Sequence, residues 1–261
     1  MVTEDTKEPK GGTGGPVATP PGYGLAGPLL MALLAGDELG VKAAFEEARR
    51  RGACLALLAR DVIGPAFDEL GRMWRAGDVS VAEEHLATAL VTRAFAGMAA
   101  PLPAPGLGAP RLVLSCLAGE FHELGVRIVA EVARSAGWQS EVLGANTPRE
   151  AAIEYLAVHR PAAVGLSLAL AAHLAECSRT VQEIRRASPS TRILVGGYAF
   201  RHDCALCGLT GADACFSDVV GLRDWLVANR NAAQRRCHAP HVEASCAAVS
   251  SALKKKIFAE R

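Results

Sequence analysis

Residues 111–137 read RLVLSCLAGEFHELGVRIVAEVARSAG. The first seven form an apolar run of strand length, and HELGVRIVAEVARSAG then places its apolar residues at helical spacing. The chain thus climbs a buried strand, passes a short polar loop and turns into a helix. The same alternation recurs downstream. QSEVLG (139–144) reads as a second strand, AAVGLSLAL (162–170) as a third, TRILVGG (191–197) as a fourth and ADACFS (212–217) as a short fifth. Between them lie AAIEYLAVHR, AECSRTVQEIRRAS and the closing DVVGLRDWLVANR, all with helical periodicity. Thr147-Pro148-Arg149-Glu150 predicts a capping box with proline at the first helical position. Alternating strands and helices predict a doubly wound parallel sheet of flavodoxin or Rossmann-like type over 111–230. In such sheets ligands sit beyond the carboxyl ends of the strands. Glu120, His122, Ser167 and the pair Gly196-Gly197 all fall there.

Upstream the period changes. Residues 25–100 divide into four helical stretches, AGPLLMALLAGD, ELGVKAAFEEARRRG, CLALLARDVIGPAFDELGRMWRAGD and VSVAEEHLATALVTRAFAGMA, punctuated by Gly and Asp. Short connections between four amphipathic helices predict a bundle. PLPAPGLGAP (101–110) cannot continue a helix and reads as a linker. Residues 1–24 are rich in Gly, Pro and charge, the composition of a disordered tail. Residues 231–261 read as a C-terminal extension whose last stretch, with Lys254-Lys255-Lys256, has the pattern of a short amphipathic helix.

Composition excludes several classes. The 28 basic and 27 acidic residues give a net charge of +1, so no bulk electrostatic pull toward nucleic acid is expected. No apolar run reaches the roughly 20 residues that span a bilayer. There is no secretory segment at the N-terminus, and the eight scattered cysteines favour reduced thiols in a cytoplasmic protein. Cys204-x-x-Cys207 with Cys237, His238, His241 and Cys246 matches no strong zinc spacing, so these read as free thiols and loop histidines.

The loop GEFHELG (119–125) carries the chemistry. A histidine beside a strand end is ordinarily a cap or a core residue. Here it opens a series: Glu120-x-His122-x-x-Gly125, then 41 residues to Ser167-Leu168-Ala169, then 26 residues from Ala169 to Gly196-Gly197. This spacing resembles the cobalamin-binding module, with alanine at 169 where the family has leucine. The resemblance implies His122 as a ligand to the corrin cobalt. One ligand suffices, because the corrin supplies four nitrogens. Glu120 would accept the other ring N–H, fix the tautomer and raise ligand basicity. Gly125 would let the nucleotide tail approach the backbone. Ser167 would offer a hydroxyl to the tail base, and Gly196 and Gly197 would lie bare against its sugar and phosphate. No G-x-G-x-x-G follows the first strand, which argues against a dinucleotide site.

The bundle holds a second pattern. Trp74, Glu84 and His85 stand as W-x9-E-H, similar to the helical cap of the CarH-type light-sensing regulators and of corrinoid proteins in methyl transfer. The resemblance implies that Trp74 covers the upper corrin face beside a 5′-deoxyadenosyl group, with Glu84 and His85 near its ribose and adenine. It therefore implies adenosylcobalamin as cofactor and a photoreceptor without enzymatic turnover. The chain departs from CarH-type proteins in two respects. Arg75 stands where their light state uses a histidine after the tryptophan, and only 24 residues precede the bundle, so no DNA-binding domain is expected there. The departures bring it nearer to photocobilins, which add a bilin such as biliverdin, and to AerR-like antirepressors. A second copy of the chain or a regulatory protein is then the expected partner. The alternative from another class is a corrinoid carrier in methyl transfer.

Overall fold

A computed structural model of the protein describes residues 24–203 and 205–237. The predicted N-terminal tail up to residue 23 and the extension from 238 onward lie outside the described residues. Four helical passes open the chain: α1 (Ala26–Leu34), α2 (Glu38–Arg50), a composite third pass and α5 (Val81–Ala99). The third pass runs through α3 (Leu55–Leu58), a π-helical turn (Ala59–Ile63) and α4 (Gly64–Ala76). Pro65 explains the wider turn in part, because it has no N–H to give to the helix ladder. Asp37 caps α2 by accepting from Leu39 N, and Gly77 in the left-handed region ends α4. Ser80 and Glu83 form a reciprocal capping box at the start of α5.

Beyond 110 the chain forms five parallel strands, β1 (Arg111–Cys116), β2 (Gln139–Gly144), β3 (Ala163–Ser167), β4 (Arg192–Gly196) and β5 (Ala214–Phe216). Their order is β2-β1-β3-β4-β5. The chain reverses direction across the sheet between β1 and β3, which makes that junction the switch point where ligands bind. Register places Cys116 beside Ser167, Ser167 beside Gly196 and Gly196 beside Phe216, a single row at the carboxyl edge. Helices α6 (Leu124–Ser135) and α11 (Val219–Cys237) cover one face, around Leu112, Leu114, Trp138 and Leu226. Helices α7 (Arg149–His159) and α8 (Leu174–Ala187) cover the other, around Val113, Leu166, Val195 and Ile184. Two short helices, α9 (Tyr198–His202) and α10 (Leu206–Thr210), lie between β4 and β5.

Two sequence expectations are corrected. Thr147 makes no capping box: its hydroxyl donates to Gly144 O at 3.1 Å, Pro148 keeps an extended ψ of 135°, and α7 starts one residue later than expected. The cysteines are not all thiols. Cys207 of α10 and Cys215 of β5 form a disulfide, their Cα atoms 5.7 Å apart, while Cys54, Cys116 and Cys177 are free. A pairing between a loop helix and an edge strand depends on how the chain returns, which spacing alone does not reveal. Cys207 is thereby removed from the Cys/His set of the tail. Cys204, His238, His241 and Cys246 lie outside the described residues, as does the side chain of Cys237.

The bundle is fused to the sheet through α6. Ile128 and Val132 of that helix are buried in the bundle core, each contributing about 1.5–3 kcal/mol of apolar burial. Arg134 ties the linker down by donating to Leu102 O at 3.0 Å and to Ala99 O. No helix among the described residues is long and apolar enough to cross a membrane.

Candidate cofactor-binding site

The loop after β1 is held from within by Glu120. Its side chain is fully buried. Oε1 accepts from His122 Nδ1 and, at 3.2 Å, from the His122 amide. Oε2 accepts from the amides of Ala169 at 2.9 Å and Leu170 at 3.3 Å, and faces His173 Nδ1 at 3.3 Å. Burial alone would push the carboxyl up, but these donors outweigh it and hold its pKa at about 2. Glu120 thus pins the β1 loop to the β3 loop across the switch point. Replacing it by alanine removes the acceptor of three backbone amides, those of His122, Ala169 and Leu170, and an unsatisfied buried amide costs about 1–3 kcal/mol. Glu120→Ala is expected to lower unfolding stability by about 2–4 kcal/mol in urea titration of the ligand-free protein. Glu120→Gln should cost less, because it keeps an acceptor.

His122 stands outward from this anchor, with 62% of its side chain exposed. With Nδ1 engaged, Nε2 is the ring nitrogen available to a metal. The Glu120 carboxylate raises the pKa of the ring against the opposing effect of burial, and the Glu84 carboxylate adds to the rise. The Glu84 carboxylate, in the first turn of α5, is thus within electrostatic range of the β1 loop. Thr88 Oγ1 donates to Glu84 at 3.0 Å, and His85 Nε2 lies 3.8 Å from Glu84. Trp74, at the end of α4, is 47% exposed, a large apolar surface that the described residues leave uncovered.

Below the loop a cavity of about 240 Å³ runs into the sheet face between α6, α11 and the third helical pass. Gly125, Ser167, Gly196 and Gly197 line it, together with Gly165, Leu114, Phe216 and Val219. Gly125 has open space in front of it, the nearest atom to an added Cβ being Ser167 Oγ at 3.9 Å. Gly165 forms part of the floor, where an added Cβ would lie 2.7 Å from Leu114 Cδ2. A mostly apolar slot, with the Ser167 hydroxyl and the Gly196-Gly197 backbone in its lining and an exposed imidazole in the adjoining loop, fits a corrinoid. In such a complex the slot would receive the nucleotide tail and His122 would be the residue that holds the metal.

The structure therefore brings Glu120 and His122 into contact and groups Gly125, Ser167, Gly196 and Gly197 around one cavity. Trp74, Glu84 and His85 do not line that cavity. Alanine at 169 leaves the arrangement intact, because residue 169 serves through its amide. Two supporting residues escaped the sequence reading. His173, six residues past Ser167, shares Glu120. Asn146, in the left-handed region at φ 48°, accepts from Gly119 N at 2.8 Å and donates its own amide to Glu120 O at 2.8 Å. An asparagine just past a strand end is a known left-handed former, a signal that could have found it.

Comparison with known proteins agrees with this geometry. Residues 110–219 match the family model of a B12 binding domain, and residues 25–96 match a second model of a B12 binding domain. The chain is 32% identical over 150 residues to the HTH-type transcriptional repressor CarH of Myxococcus xanthus, covering 56% of this chain and 49% of the relative. It is 33% identical over 124 residues to the repressor CarA of the same organism, covering 47% and 42%. The chain thus spans about half the length of these curated relatives. The solved monomethylamine corrinoid protein of Methanosarcina barkeri superposes with a TM-score of 0.61 at 15% identity, over 77% of this chain and 95% of that one. This last likeness concerns the fold. The chain is accordingly a cobalamin-binding protein built from a helical and a Rossmann-like B12 binding domain, similar in that region to the regulators CarH and CarA.

Proposed function

We propose that the chain is an adenosylcobalamin-binding light sensor without catalytic turnover, whose response to light is a change in how the helical cap packs on the sheet. The observation that carries this reading is an exposed indole, Trp74, on the helical domain together with an exposed imidazole, His122, oriented by buried Glu120 on the sheet domain. When bound, adenosylcobalamin supplies visible absorption and a cobalt–carbon bond that light breaks. Every other part is supplied by the chain. His122 would hold the metal through Nε2, oriented by Glu120 at Nδ1. Trp74 excludes water above, as an indole plate does. Glu84 offers acceptors to hydroxyls of the upper group. Without a group to pack on, Trp74 would lose its support, and α4 and α5 would be free to shift against the sheet. The surface offered to a second copy of the chain, or to a regulatory protein, changes with them.

The test compares purified protein loaded with adenosylcobalamin in darkness and after green light. A changed absorption spectrum together with a changed hydrodynamic size is expected. Trp74→Ala should keep the dark spectrum and lose the size change. Identical dark and illuminated samples by both measures would overturn the reading. The fold likeness to a corrinoid protein supports a second reading, a methyl carrier. Methylcobalamin supplied with a methyl acceptor distinguishes the two, since only a carrier is consumed and reloaded. A far-red band in protein isolated from cells supplied with bilin would add a second chromophore.

A further inference from the structure

One helical pass touches both ends of the site. Its π-helical turn and the residue after it supply Ala59, Arg60 and Gly64 to the wall of the tail cavity, and its last turn carries Trp74. Midway, Asp68 meets Arg201, with Arg201 Nη1 3.0 Å from Oδ1 and 2.9 Å from Oδ2. Arg201 also lines the cavity, and it belongs to α9, which begins directly after Gly197. Gly197 cannot drift, because Leu168 N donates to Gly196 O at 2.9 Å and Ala199 N to Leu168 O at 3.1 Å. The guanidinium reaches Asp68 across Gly64, where an added Cβ would stand 3.3 Å from Arg201 Nη1. The rim of the tail cavity is therefore joined to the middle of the Trp74 helix by one ion pair.

We infer that Asp68 and Arg201 are positioning residues that hold the Trp74 helix in register with the tail-binding glycines, so that filling the lower cavity sets the cap above. The inference rests on cobalamin occupying this site and names the part that couples its two faces. The π-helical turn suits that task, since a wide turn can change its bonding pattern at small cost. The side chains of Arg201 and Asp68 are 32% and 34% exposed, so the pair is modest in strength and easily outbid. A coupling element needs that property, since a rigid tie could not release.

The test uses Asp68→Asn, Arg201→Gln and the exchanged pair Asp68→Arg with Arg201→Asp. Hydrogen exchange of α4 amides is read in the ligand-free protein, and loss of bound adenosylcobalamin in the dark is read by competition with excess hydroxocobalamin. Each single variant should speed both about three- to fivefold, the range of a partly exposed ion pair. The spectrum in the visible should stay that of wild type, because His122 is untouched. The exchanged pair should bring both rates back to within about twofold of wild type. Unchanged α4 exchange in the single variants, or an exchanged pair no better than they are, would overturn the inference. If wild-type protein binds no cobalamin, the functional reading fails separately, while exchange in the ligand-free protein still decides whether the pair holds α4.

Discussion

His122→Ala is expected to lower affinity for cobalamin by about 100-fold or more and to change the absorption spectrum of what remains bound. Loss of a mere supporting group around a metal ligand costs roughly 10–100-fold, and here the ligand itself is removed. The protein offers no replacement within the same loop. Glu120 faces inward and is fully buried, and His173 is turned toward Glu120 through Nδ1. The tail base would then stay on the metal, which keeps it out of the cavity lined by Gly125 and Ser167. Equilibrium titration followed by absorption reads both effects. The fold should survive, since the His122 side chain is mostly exposed and no core contact depends on it. Affinity and spectrum equal to those of wild type would show that another group holds the metal.

Gly197→Ala is expected to unfold the protein at markedly lower temperature, by roughly 5–15 °C, corresponding to about 2–4 kcal/mol. Gly197 has φ +118°, a region that side chains avoid, and an added Cβ would lie 2.5 Å from Leu168 O. That oxygen is fixed backbone, already accepting from Ala199 N, so nothing can yield. Gly125→Ala gives the opposite result. Nothing lies within 3.9 Å of the new methyl, so thermal stability should be unchanged while cobalamin affinity falls. Thermal scans of the two ligand-free variants beside cofactor titrations separate a glycine required by the fold from one required by the ligand. Equal behaviour of the two would contradict this division.

The two glycines also mark where the sequence was readable and where it was not. Gly197 is a candidate site glycine from its place after β4, and Gly125 from the resemblance to the cobalamin-binding module. That Gly197 is also locked against Leu168 depends on how the β3 and β4 loops cross, which no local pattern encodes. The strands were legible because apolar runs such as LVLSCL and ILVGG alternate with helical periods, and the bundle because its four passes are separated by Gly and Asp. The start of α7 was misplaced because Thr147 found a closer carbonyl in its own turn than the helix amide it was expected to cap. Glu120 is paired by the local sequence with His122, two residues away. Its second task, bonding Ala169 and Leu170, spans 49 and 50 residues and arises only when β1 and β3 lie side by side. His173 and the disulfide partner Cys215 were missed for the same reason: their partners are close in space and distant, or unremarkable, in sequence.

The central claim is that a protein imidazole holds the cobalt from below. It is tested most directly by electron paramagnetic resonance of the protein loaded with cobalamin in its paramagnetic divalent form. Two samples are compared, one with natural nitrogen and one grown with histidine labelled with nitrogen-15 in the ring. Coordination by His122 predicts that the nitrogen splitting changes from a triplet to a doublet on labelling, and that this change is lost in His122→Ala. A triplet that persists in the labelled wild-type protein would place the cofactor's own base on the metal and contradict the account.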